Sequence, residues 1–417
     1  MPLFVDKKEI FIFIAAAVVI TLCSLSFAFY RYTQLTQNAL YVTKATVLNH
    51  YRKTNEKGRS YDVFKLKLDE GGAEAYTTSW RVSDIAIKSR VKVKLNVENV
   101  SFLDYLKGFY APNTAIYTIF EDNPPWDARA LYRWVDRQHE DAKASELYQT
   151  LLFATPISKE LRDEVQKWGI SHLIAISGYN VGVISFLLFF FLRPLYRFFQ
   201  DRYFPYRNAS ADLSMIVLAV LFVYMVVIDF IPSFLRAFSM SVLGFFFLSR
   251  GLKVLSFETL GVTVVLLLAF FPALVFSLSF WLSVAGVFYL FLFVYHFGAL
   301  PKWALLLSMD LGIFLLMVPI VHTFFPVFTF LQLTTPLTSL FFIGFYPLGL
   351  LLHVLGIGGV VDGLIEHFLS VPAQSYTLHF SGWLLGLYVG VSLLAIRFRA
   401  LVFVCLGFSC LSLFFIQ

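Results

Sequence analysis

The chain has 417 residues, of which 58% are hydrophobic and 14% charged, with 48 Phe and a formal net charge of +6. That composition excludes an ordinary soluble domain and a disordered chain, and it indicates a polytopic membrane protein. The positive excess fits cytoplasmic loop charge or, more specifically, a polyanionic partner. Cys23, Cys405 and Cys410 lie in apolar stretches and read as small buried hydrophobes, not as a zinc site or a disulfide.

Residues 9–30 are an apolar run long enough to span a membrane, preceded by Lys7 and Lys8. The run outlasts a signal-peptide core and no small-residue cleavage site ends it. Residues 1–31 are therefore expected to be a first membrane helix with its N-terminus in the cytoplasm. Residues 32–122 alternate instead. The runs 41–51, 61–68, 75–80 and 90–97 read as strands, with turns at Gly58 and Gly71-Gly72. They predict a small all-β domain, for which an OB-like barrel is one candidate. From Tyr41 to Tyr110 there are 13 Lys/Arg and 8 Asp/Glu. The two-residue period puts Arg90, Lys92 and Lys94 on one face and Lys65 with Lys67 on one face of their own strand. Tyr76 and Trp80 also share a face. Basic rows beside aromatic rings suit single-stranded nucleic acid, which needs charge along its backbone and rings for stacking. The plainer alternative is a solvated outer face over an aromatic core.

Residues 123–169 follow Pro124-Pro125 and are charged with a helical period. They predict amphipathic helices at the outer interface or plugging a groove, with Trp126, Trp134 and Trp168 as interfacial anchors. Ser158, with Glu160 behind it, reads as a helix N-cap.

From residue 170 onward, apolar runs fall at about 172–192, 212–231, 233–249, 256–271, 273–297, 303–322, 325–356, 382–396 and 399–416. Arg193, Arg197, Arg202 and Arg207 make the stretch 193–207 a cytoplasmic basic loop by the positive-inside rule. This agrees with the first helix in placing 31–169 outside. Pro326, Pro336 and Pro347 predict a re-entrant or broken helical hairpin within 323–356. The fold class expected is a mostly α polytopic membrane protein of about nine to eleven membrane segments, with a small N-terminal all-β OB-like periplasmic domain.

Polar groups inside such runs need partners or water. The stretch 171–182, S-H-L-I-A-I-S-G-Y-N-V-G, carries His172, Ser177, Gly178 and Asn180 at the start of an apolar segment. Arg236 follows Pro232 and reads either as a snorkelling or Asp229-paired cation, or as an anion contact in a pore. Asp310 is a second charge within an apolar run. Ser279 and Ser283 share a helix face that packs tightly or lines water. No Walker A loop and no zinc-hydrolase motif occurs, and the eight His are scattered. The expectation is no enzyme, no metal and no cofactor.

With these residues in hand, 171–182 resembles the H-L-L-A-I-S-G-L-H-V-G signature of the ComEC competence family. S-F-L-R-A-F-S-M at 233–240 is similar to its S-x-x-R-A-x-x-M. F-P-A-L-V-F-S-L-S-F-W-L-S-V-A-G at 271–286 is similar to its N-P-x-x-L-F-S-x-S-F-Q-L-S-F-x-A-x-x-G. The family's His, Gln and Asn are here Asn180, Trp281 and Gln332. The resemblance implies an inner-membrane channel that carries single-stranded DNA from periplasm to cytoplasm in natural transformation. It implies an OB-fold within 32–122 and a channel domain at 170–417. His172, Ser177, Gly178, Asn180, Arg236, Ser279, Ser283 and Gln332 would lie along the DNA path, and Lys65, Lys67, Tyr76, Trp80, Arg90, Lys92 and Lys94 would bind DNA in the β domain. Longer members add a metallo-β-lactamase-like domain that this sequence lacks, so a short form is expected and another protein would degrade the second strand. The implied partners are single-stranded DNA, membrane lipid, a periplasmic DNA-binding protein and a cytoplasmic ATPase or helicase, with homo-oligomerisation left open. The competing reading is a transporter or export channel for another anionic or lipid-linked substrate.

Overall fold

The computed structural model describes residues 6–55, 58–70, 72–80, 85, 87, 89–118, 128–228, 230–251 and 256–415. The chain forms two compact units, one of Phe4–Asp127 with Val264–Leu278 and one of Met1–Leu3, Ala128–Thr263 and Ser279–Gln417.

The first unit opens with α1 (Lys7–Thr36), an uninterrupted apolar helix that spans 30 residues. Then follow β1 (Leu40–Thr54), β2 (Ser60–Leu68), β3 (Glu74–Ser79), β4 (Arg90–Asn96), α2 (Phe102–Lys107), β5 (Phe109–Tyr110) and β6 (Asn113–Thr118). β1 to β4 form where the alternation predicts them. Every second side chain is driven inward, and Val47, Phe64, Leu66, Leu68, Val91, Val93 and Leu95 form one core. The intervening Lys65, Lys67, Lys92 and Lys94 stay at the surface. β1 pairs antiparallel with β2 and β4, and β2 with β3. The pairing at the two edges was not read from the sequence. β5 pairs parallel with β3, and β6 pairs antiparallel with β4. Only Ala111-Pro112 separates β5 from β6, where proline has no N–H to give the ladder. One bent segment thus occupies both edges, and the sheet closes on itself. Ala111 N–H to Tyr76 O and Asn96 N–H to Pro112 O, each 2.9 Å, complete the seam. Val93→Ala removes two buried methyl groups and is expected to destabilise this closed sheet by about 2 kcal/mol. Faster proteolysis within 40–118 of the membrane-embedded chain would report it; an unchanged rate would place Val93 outside the core.

The second unit begins with α3 (Ala128–Asp136), α4 (Ala142–Phe153), α5 (Lys159–Lys167) and α6 (Ser171–Ile174). Ser158 caps α5 as expected, accepting from Leu161 N–H at 3.2 Å. The interfacial reading of this stretch needs correction. α4 is buried on most of its surface, and Leu147, Tyr148, Leu151 and Leu152 join Leu161, Val165, Phe342, Tyr346, Ile365 and Leu369 in one core. Trp168 is not a free anchor: its ring stacks on Phe368 at 3.9 Å and its Nε1–H donates to Phe368 O at 3.0 Å. Trp134 remains exposed, and Trp126 lies outside the described residues.

Next come α7 (Gly178–Tyr203), α8 (Ala209–Val227), α9 (Pro232–Ser249), α10 (Phe257–Phe270), which continues into the first unit, α11 (Leu278–Phe297) and α12 (Lys302–Phe324). The chain ends with β7 (Val327–Phe328), α13 (Thr335–Val354), α14 (Asp362–Leu369), β8 (Tyr376–Thr377), α15 (Gly382–Leu394) and α16 (Arg399–Ser412). Among the described residues, six helices are long and apolar enough to cross a membrane: α1, α7, α8, α11, α12 and the stretch Phe330–Val354; four shorter apolar helices accompany them. This is a multi-pass membrane protein, mostly helical, with a small β sheet near its N-terminus.

Two expectations for this unit change. Arg193, Arg197 and Arg202 are not in a loop, because α7 continues to Tyr203. At about 1.5 Å per residue its 26 residues outreach a hydrocarbon core of about 30 Å, so its last turns can carry charge. Arg207 follows the helix and makes a two-pronged ion pair with Asp212 at 2.6 and 2.7 Å, which holds its guanidinium pKa above the ordinary value. Nor does 323–356 form a hairpin. Between α12 and α13 the chain leaves the α-helix through 325–334, and α13 then runs unbroken for 20 residues. Pro336 falls in its first turn, where no helical N–H is needed, and Pro347 is carried inside it.

Candidate functional site

Two sets of residues carry chemistry, one in each unit. In the second unit the stretch 171–182 is organised from below. The last carbonyls of α5 lack helical partners, and side chains from 329–335 satisfy them. Gln332 Nε2 donates to Gln166 O at 3.1 Å, Thr335 Oγ1 to Trp168 O at 3.1 Å, and Thr329 Oγ1 to Lys167 O. Gly169 then turns the chain with φ +68°, and His172 Nδ1 contacts Gly169 O at 3.0 Å. Gln332 is thus buried and engaged with backbone.

The signature's polar residues build the start of α7. Ser177 Oγ accepts from Tyr179 N–H at 3.2 Å, and Asn180 Oδ1 accepts from Ser177 N–H at 3.4 Å, a reciprocal cap. Gly178 is exposed, with open space where a Cβ would stand. Asn180 is fully buried. Its Nδ2 and the buried Tyr346 hydroxyl have no hydrogen-bond partner among the described residues. Such groups are costly to strand, so this pair marks a polar spot inside the unit.

Packing brings the signatures together. Ile176 and Val181, beside Ser177 and Asn180, share a core cluster with Phe234 and Ala237, beside Arg236. Arg236 is 7% exposed, and its Nη1 donates to Ser279 O at 2.9 Å across 43 residues of sequence. No carboxylate lies within ion-pair distance of it among the described residues, and Asp229 is outside them. A guanidinium carries five N–H donors, so a buried one held by a single carbonyl can still receive an anion. Ser283 lies one turn beyond Ser279 on α11, half-buried.

In the β domain, directly opposed residues form two outward rows. Lys65 faces Tyr76, which faces Tyr110; Lys44 faces Lys92, which faces Tyr117. Tyr110 and Tyr117 are 55% and 66% exposed. Lys65 is tied to Glu74 at 2.7 Å and lies 5.7 Å from the Tyr76 ring centroid. Burial pulls its pKa down, but the bond and charge of Glu74 outweigh that and raise it. Arg90 pairs with Asp69. Lys92 is exposed, and neither it nor Lys94 has a carboxylate partner among the described residues. Trp80 lies just past β3, 63% exposed, its ring 5.2 Å from that of Tyr61.

A family model described as Competence protein matches residues 153–416. The chain belongs to that family. No curated protein and no solved structure matches it. The competence-family match spans all three signatures and the cap that supports the first. In this competence protein the structure joins the first two signatures in one core and the last two through Arg236 and Ser279 O, while Gln332 sits apart with the end of α5. Sequence reasoning missed Tyr110, Tyr117 and Tyr346. The alternation of N-T-A-I-Y-T at 113–118 was the available signal for Tyr117; for Tyr346, in an apolar helix, there was none.

Proposed function

We propose that this competence-family protein is an inner-membrane channel that moves single-stranded DNA from periplasm to cytoplasm, acting as a conduit and not as an enzyme. The observation that carries the reading is Arg236, a buried cation with free donors and no carboxylate beside it among the described residues, within the family's matched region. A phosphate backbone is the anion such a group suits. Asn180, Ser177 and the α11 face bearing Ser279 and Ser283 would line the same path, with His172 and Gly178 at its start and Gln332 holding its support. Lys7 and Lys8 at the start of α1, and the Arg residues of 193–207, support a cytoplasmic N-terminus and a periplasmic β domain.

The β domain reads as OB-like: three strands in a meander, with a later segment that pairs parallel to the third and closes the sheet. Its two rows offer cations and rings to a single strand, and the free Lys92 beside Tyr117 is the sharpest element. Movement of the strand needs a cytoplasmic ATPase or a pulling reaction, and a periplasmic DNA-binding protein would deliver it.

Binding by the full-length chain in lipid nanodiscs tests the outer step. Affinity for a single-stranded oligonucleotide is expected to fall steeply with salt. Tyr117→Ala should weaken it by about 1–3 kcal/mol at every salt concentration. Lys92→Ala should reduce the slope of log K against log salt by about 0.7. The whole function is tested in cells that lack the gene and are fed labelled double-stranded DNA. Nuclease-protected label should accumulate in the periplasm and stay out of the cytoplasm. Normal cytoplasmic delivery would reject the channel and favour transport of another anion.

A further inference from the structure

A cluster of titratable side chains away from the signatures joins three segments of the second unit. His139 follows α3, His353 ends α13, and Asp362 begins α14. His139 Nδ1 lies 2.8 Å from Asp362 Oδ1, and His139 Nε2 lies 3.0 Å from His353 Nε2. His353 Nδ1 lies 2.7 Å from Gly349 O. The His139 side chain is fully buried and His353 is 1% exposed. The surrounding loops press close. Gln138 donates to His353 O at 3.3 Å and accepts from Gly358 N–H at 2.9 Å, while Glu140 N–H donates to Asp362 Oδ2 at 3.3 Å. A Cβ on Gly358 would stand 2.7 Å from His353 Nε2, and one on Gly359 2.2 Å from Gln138 O.

Donor counting decides what this chain of contacts requires. Gly349 O only accepts, so His353 Nδ1 carries a hydrogen. One hydrogen must then lie between the two Nε2 atoms, and one between His139 Nδ1 and Asp362. With a carboxylate and two neutral imidazoles there is one hydrogen too few, and two lone pairs face each other across one of the gaps. One added proton closes the chain wherever it resides, as imidazolium at His139 or His353 or as the carboxylic acid of Asp362. The group is then neutral overall, and every facing pair has a donor and an acceptor.

We infer that His139, His353 and Asp362 form a one-proton latch that fastens the segment entering α4 to the end of α13 and the start of α14, closed when the proton is bound and released when it leaves. The other groups facing it do not supply that proton. Tyr148 stacks on His139 at 5.0 Å and meets the His353 ring at a tilt at 4.4 Å, but burial, and then the charge of Asp362, push its phenol above its ordinary pKa. The Trp134 ring lies 6.3 Å from His353 and has no acid–base role in this range. Asp136 accepts from Ser145 Oγ at 2.8 Å and Asp141 caps α4 through Ala144 N–H at 2.9 Å, so both are engaged elsewhere, and Glu140 is exposed. The latch stands independently of what the channel carries.

Amide hydrogen exchange on the full-length chain in nanodiscs, corrected for the intrinsic pH dependence, reads the latch across about pH 5–9. Peptides covering 138–145 and 353–362 should lose protection together as pH rises, by about tenfold per pH unit above the transition, the slope of one proton. Asp362→Asn is the decisive variant. Its amide can donate to His139 Nδ1, so the chain closes with two neutral imidazoles, and protection should change less than about twofold over the same range. His139→Gln, whose amide can donate to both Asp362 and His353 without an added proton, should abolish the transition. Protection independent of pH in the wild type would overturn the latch, as would an Asp362→Asn chain that opens at every pH. A transition that zinc or a chelator reproduces at fixed pH would overturn it in favour of a metal.

Discussion

Arg236→Ala is expected to cut delivery of DNA to the cytoplasm by about a hundredfold or more while DNA still reaches the periplasm. Loss of one or two charge-assisted hydrogen bonds to a passing phosphate, about 1.5–3 kcal/mol each, is sufficient for that factor. Arg236→Lys should retain part of the activity, because an ammonium keeps the charge but not the fork that holds Ser279 O and an anion together. The same substitution separates function from fold. A buried cation without a carboxylate partner is a desolvation burden, and its removal often leaves stability unchanged or raised. The Ala chain should therefore accumulate in membranes normally and melt within a few degrees of wild type, as about 1 kcal/mol would allow. Full delivery by an Ala variant present at normal levels would show that Arg236 is a structural strut and remove the main support for the channel path.

Gly169→Ala is expected to destabilise the second unit by about 4 kcal/mol. The residue has φ +68°, where an L side chain costs about 1–2 kcal/mol. Its new methyl group would stand 2.8 Å from Thr335 Oγ1 and 3.2 Å from Gln332 Cγ, the side chains that cap the end of α5. Displacing them loses hydrogen bonds of about 1 kcal/mol each and strands buried carbonyls. Thermal unfolding in detergent should drop by several degrees, and protease cleavage should appear near 166–172. Gln332→Ala alone removes one cap without the clash and should cost about 1–2 kcal/mol. A Gly169→Ala chain as stable as wild type would mean that the cap is not what sets the start of the first signature.

Much of the architecture follows from local pattern. The two-residue period of 41–51, 61–68 and 90–97 places β1, β2 and β4 and sends Lys65, Lys67, Lys92 and Lys94 outward, because a strand's faces alternate whatever it pairs with. Apolar runs place the membrane helices for the same kind of reason: an apolar stretch in lipid satisfies its backbone internally as a helix. The family, too, was legible, since its signatures are continuous strings. Errors arose where partners intervene. α4 looks amphipathic alone yet is a core helix, because Phe342, Tyr346, Ile365 and Leu369, distant in sequence, cover its other sides. The expected break in 323–356 moved to its beginning, because proline in a first helical turn breaks nothing.

Sequence by itself therefore determined the class of protein, the family, the elements and the residues with polar chemistry at membrane depth. Tertiary structure alone decided which of those residues meet. It joined Arg236 to Ser279 O, committed Gln332 to the end of α5, and closed the sheet through 109–118 so that Tyr110 and Tyr117 stand beside lysines. It also brought His139 to His353 and Asp362, across 214 and 223 residues. Periodicity is a property of neighbours along a chain and survives in the string of letters. A hydrogen bond between distant segments depends on the packing that carries them to about 3 Å, and no local pattern encodes that distance.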